Sequence, residues 1–72
     1  MAIGKLEFVG DKIKRLRAER RLSQLDVQRM SGVSQSTIIR AERAGSVTER
    51  TARRLSRVLG VNPADLLPGG EP

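Results

Sequence analysis

The sequence predicts an all-α fold, a compact bundle of four to five short helices. Three observations carry this. Hydroxyl residues suited to open a helix recur ahead of glycines suited to close one, as Ser23 to Gly32, Ser34 to Gly45 and Thr48 to Gly60. Apolar residues between these marks fall at helical spacing, most clearly Ala52, Leu55 and Leu59. Strand-like alternation is confined to residues 1–9, MAIGKLEFV, where Ile3, Leu6 and Phe8 alternate with Lys5 and Glu7.

Taken in order, residues 1–9 read as a short strand or a loose arm, and Gly4 and Gly10 limit any continuous helix there. Residues 11–21, DKIKRLRAERR, form the first helix, capped by Asp11, with Ile13 and Leu16 facing inward. Ser23 caps the second, over Gln24 to Ser31, in a capping box with Asp26 three residues on. Val27 is its clearest inward residue, whereas Leu25 and Met30 are harder to seat on the same face. Gly32 stands where the chain must reverse quickly. Ser34 caps the third helix, over Gln35 to Arg43, whose inward line is Ile38, Ala41 and Thr37. Thr48 caps a fourth that runs to Leu59, with Val47 plugging the core before it. Asn62, Pro63 and Asp65 mark one last short turn, after which Leu66 and Leu67 close the core and PGGEP ends regular structure. The expected organisation is one folded domain over residues 10–67, an arm over 1–9 and a flexible tail over 68–72.

Composition narrows the function. Seventy-two residues allow one domain with a small core. There is no cysteine and no histidine, so neither a disulfide nor a thiolate nucleophile is available, and a structural zinc would lack its usual ligands. No arrangement of paired carboxylates suggests acid–base catalysis. The expectation is a protein that is not an enzyme and uses no cofactor or metal. No apolar run reaches membrane-spanning length, and a reducing, cytoplasmic and nucleoid-associated setting is expected. Fourteen Lys and Arg against eight Asp and Glu give a formal charge of +6. Most of the basic residues are arginine, whose fork holds two phosphate oxygens at once. The single aromatic, Phe8, argues against recognition by stacked bases.

These lines meet at Ser23–Glu42, SQLDVQRMSGVSQSTIIRAE, two short helices around a tight turn. Val27, Ser31, Val33, Ile38 and Ala41 can close them on each other. Gln35, Ser36, Ile39, Arg40 and Arg43 are left on the outer face of the second of the pair. Such side chains suit a surface that meets DNA, in the manner of a helix-turn-helix.

This stretch, together with TARRLSRVLGVNPADLL after it, resembles the phage repressor and Cro-like (XRE) helix-turn-helix family, the lambda-repressor-like DNA-binding fold. The likeness spans residues 10–67. It implies that the third helix enters the major groove. Gln24 matches a glutamine that binds backbone phosphate and braces the first residue of the recognition helix, here Gln35. Gln35 and Ser36 match base-reading positions, and a glutamine can grip adenine N6 and N7. Ile39, on the same face, suits a thymine methyl, and Arg40 reaches guanine or a phosphate. Arg43 and Ser46 lie where the chain leaves the groove and suit backbone contacts. Arg17 and Glu42 match an ion pair that ties the first helix to the third. Gln28, Ser31 and Ser56 depart from the family pattern, standing where small or apolar residues are usual. The two serines can bond the carbonyl one turn back.

The function expected from this reading is sequence-specific binding of double-stranded DNA by a small transcriptional regulator. A repressor acting as a homodimer on a palindromic operator is its fullest form, with Leu66, Leu67 and the loop before the fourth helix as a dimer patch and residues 1–9 as a second. The alternative is an antitoxin-like or other protein-interaction module built on the same bundle.

Overall fold

The computed structural model describes residues 7–67. Within them run α1 (Val9–Glu19), α2 (Gln24–Ser31), α3 (Gln35–Ala44), α4 (Glu49–Leu59) and a closing 3-10 turn (Pro63–Leu66), with no strand among the described residues. None of these helices is long and apolar enough to cross a membrane. Residues 1–6 of the expected arm and the 68–72 tail lie outside the described residues.

Side-chain caps fix the starts of α2, α3 and α4. Ser23 Oγ accepts from the Asp26 N–H at 3.0 Å while the Asp26 carboxylate accepts from the Ser23 N–H at 2.9 Å, a complete capping box. Ser34 and Thr48 accept from the N–H groups of Thr37 and Thr51 in the same way. Gly32 closes α2 in the left-handed region, φ 79°, which lets α3 begin three residues later. Ser31 and Ser56 spend their hydroxyls on the carbonyls of Val27 (2.6 Å) and Arg53 (2.9 Å), so both stay inside the bundle without an unpaired polar group. Gln28 is half-buried on α2.

α1 differs from the sequence expectation at both ends. It begins at Val9, not Asp11, and Phe8 precedes it with no side-chain cap. Asp11 instead lies in the first turn, where its charge complements the helix dipole. Gly10 is helical and buried, because α1 crosses α3 there. A Cβ at Gly10 would run into the Glu42 carbonyl oxygen, and the Phe8 ring lies over both Gly10 and Gly45. At its other end α1 stops at Glu19. The Leu22 N–H bonds the Arg17 carbonyl (3.0 Å) and the Arg21 N–H the Ala18 carbonyl (2.9 Å), with Arg21 at φ 58°. This is a Schellman closure with arginine where glycine is usual.

Ile13, Val27, Val33, Ile38, Ala41, Ala52, Leu55, Leu59 and Leu66 form one core, covered at its edge by Val9, Leu16, Leu22, Val47, Val58, Val61 and Leu67. α3 packs against α1 and α2, and α4 against α2 and the 3-10 turn with a smaller contact to α1. Leu66 is 0% exposed, so it belongs to this core and offers no surface to a second subunit. Leu25 and Met30 remain 42% and 59% exposed on α2.

Candidate nucleic-acid interface

The face of α3 opposite the core is open. Ile38, Ala41 and Glu42 point inward, and helical spacing then turns Gln35, Ser36, Arg40 and Arg43 to solvent with Ile39 half-buried beside them. Ser36, Ile39, Arg40, Arg43 and Ala44 line a shallow open depression along the helix. Arg40 and Arg43 make no ion pair among the described residues, so two guanidinium groups stand ready for an anionic ligand. Ser34 Oγ, besides capping α3, donates to Thr37 Oγ1 (2.8 Å) and lies 3.3 Å from Ser36 Oγ. Gln35 opens the helix and makes no side-chain hydrogen bond among the described residues. Ser46 is exposed in the loop that leaves α3.

Behind this face a polar cluster sets the pose of α3. Glu42 is only 8% exposed. Arg17 Nε lies 2.7 Å from its Oε2 and Arg17 Nη2 3.2 Å from its Oε1, a two-pronged pair across the α1–α3 contact. Arg17 Nη1 also donates to the Leu22 carbonyl at 2.9 Å. Gln24 Nε2 donates to Glu42 Oε1 at 3.2 Å. Three helices therefore meet at one carboxylate. Arg17, Gln24 and Glu42 come together, while no hydrogen bond joins Gln24 to Gln35. A buried carboxylate is a stronger acceptor than a neutral amide, so the glutamine turns toward it. That choice is made by the three-dimensional approach of α2 to α3, and no spacing in the sequence signals it. Ala44, which completes the outer depression, and Gly10, which admits the crossing, also went unsignalled.

A short helix pair joined by a glycine turn, with the second helix exposed and bearing arginines, defines a helix-turn-helix domain. A family model described as helix-turn-helix matches residues 13–66 of the 72. The chain belongs to this family, the Cro/XRE-like helix-turn-helix proteins, which are DNA-binding transcription regulators. The same comparisons find no matching curated protein and no matching solved structure.

Proposed function

We propose that the protein is a sequence-specific transcriptional repressor that binds a palindromic operator as a homodimer, reading each half-site with α3. The observation that supports this best is the open outer face of α3, on which Ser36, Ile39, Arg40 and Arg43 share one depression with no core role. Gln35, Ser36, Ile39 and Arg40 read base edges in the major groove, and Arg43 and Ser46 hold the backbone. Gln24 also serves the backbone. Its amide nitrogen carries two hydrogens, so one can stay with Glu42 while the other meets a phosphate. Arg17 and Glu42 hold the angle at which α3 enters the groove. One such helix makes few base contacts, and a two-fold pair of them doubles the address. Occlusion of polymerase then gives repression.

Selection of bound sequences from random duplexes tests the reading. The expected result is an enriched palindrome, and Gln35→Ala relaxes preference at one base pair per half-site by about 1–3 kcal/mol. Gln24→Ala instead weakens all sequences alike. Absence of any enriched sequence, or an unchanged preference in the Gln35 variant, defeats base reading by α3.

A further inference from the structure

Recognition by α3 makes no use of the most cationic helix of the molecule. Arg50, Arg53, Arg54 and Arg57 are all exposed on α4, at spacings that align them in one stripe about 10 Å long. Glu49 meets Arg53 at 3.3 Å, and Arg50, Arg54 and Arg57 make no ion pair or side-chain hydrogen bond among the described residues. Four arginines against Glu49 leave α4 at +3, half of the chain's formal +6. α3, with Arg40 and Arg43 against Glu42, carries +1.

The arrangement is costly for the helix. Four neighbouring pairs, Arg50 with Arg53 and Arg54, and Arg57 with Arg53 and Arg54, repel along one face. Arg50 also sits in the first turn, at the positive end of the helix dipole. Solubility is served by mixed charges, as on α1, where Arg15 is held between Glu7 at 2.8 Å and Glu19 at 2.9 Å. A ligand with closely spaced negative charges removes the repulsion on α4.

We propose that this stripe is a second, sequence-blind DNA surface, which holds the backbone of a second duplex segment beside the one read by α3. Duplex DNA presents one charge per about 1.7 Å of axis, so the stripe faces about six of them. Every cation in it is arginine, whose planar fork matches phosphate. An acidic protein is a poorer fit, because the stripe holds no apolar or aromatic anchor for the dry centre of a protein interface. The stripe stands apart from the α3 depression, which no α4 residue lines, and α3 and α4 have little contact with each other, so the stripe is left free for a further segment. The proposal adds to recognition by α3 and does not depend on its base preference.

The full chain and a variant with Arg50→Gln, Arg54→Gln and Arg57→Gln, shown to be folded by circular dichroism, are compared in two assays. In the first, protein already saturated with one duplex is titrated with a second, scrambled duplex, and this second affinity is followed against salt. The expected log–log slope falls by about 2.7 in the variant, 0.9 for each phosphate that an arginine no longer neutralises. In the second, protein on an immobilised duplex captures a labelled second duplex. The wild-type chain captures it, and the variant, with α3 intact, loses at least tenfold. If the triple variant does not fold, Arg57→Gln alone serves, with an expected fall of about 0.9 in slope. An unchanged slope, or no capture by the wild-type chain, overturns the proposal. So does a loss of affinity for poly-glutamate with duplex binding intact, which assigns the stripe to an acidic protein. Failure of base reading would show instead as a wild-type chain without sequence preference, leaving both α4 readouts measurable.

Discussion

Glu42 concentrates the largest single-residue risk in the molecule. Its carboxylate is nearly buried on α3 and is neutralised by Arg17 from α1. Arg17→Ala strands that charge, and the expected loss is about 3–5 kcal/mol. A chain of 72 residues holds about 4–11 kcal/mol in total, so urea denaturation should find the variant close to unfolding. Replacing both partners, Arg17→Met with Glu42→Leu, should recover most of the loss, since apolar residues of similar size need no compensating charge. A double variant as unstable as the single one would show that the stem packing of Arg17 matters more than its charge. Asp26 gives a pH signature. The Ser23 backbone N–H first, and the Ser23 hydroxyl second, hold its carboxyl below the ordinary range. Its folded pKa is therefore lower than its unfolded one. The stabilisation is complete above that unfolded value and is lost as pH falls through the folded one. Asp26→Asn should flatten this part of the acid limb, read as urea midpoints between about pH 2 and 6.

At the scale of elements, the end of α1 offers a further test. Arg21 sits at φ 58° in a closure that usually employs glycine. Relief of left-handed strain is worth about 1–2 kcal/mol, and the extra freedom of an unfolded glycine offsets about 0.4–1. Arg21→Gly should therefore stabilise by up to about 1.6 kcal/mol, seen as a higher urea midpoint with unchanged slope. The contrast between α1 and the other helices explains what was legible beforehand. Ser23, Ser34, Thr48 and Gly32 set helix ends through local chemistry, so α2 and the starts of α3 and α4 could be read from the letters. The outer face of α3 was legible for the same reason, since helical spacing alone decides which of Ile38 and Arg40 is buried. α1 has no such start. Phe8, packed over Gly10 and Gly45, and the close approach of Gly10 to α3 determine where it begins. Those are contacts between distant segments, and Gly10 read locally suggests a helix limit. The turn of Gln24 toward Glu42 was hidden likewise, because it is a competition between acceptors brought together only by folding.

For the molecule as a whole, α3 is positioned from behind by two features of α1, the backbone crossing at Gly10 and the side chain of Arg17. Gly10→Ala should push α1 away from α3, with an expected loss of about 1–3 kcal/mol in stability. The shift should reach DNA as well. Affinity for a selected duplex should fall more than affinity for a scrambled one, because base contacts depend on the tilt of α3 while phosphate contacts tolerate displacement. Parallel anisotropy titrations of the two duplexes measure the difference. A uniform fall in both would mean that the variant merely populates less folded protein.

The crossing at Gly10 also bears on engineering. A peptide copying α3, or the α2–α3 pair grafted onto a foreign scaffold, would carry the side chains proposed to read bases but not the α1 backing, Gly10 and Arg17, that sets their pitch. On the proposed reading, changing the target sequence of this chain is a matter of exchanging outward letters in place. Lifting the helix out and installing it elsewhere should give a binder that has lost its discrimination.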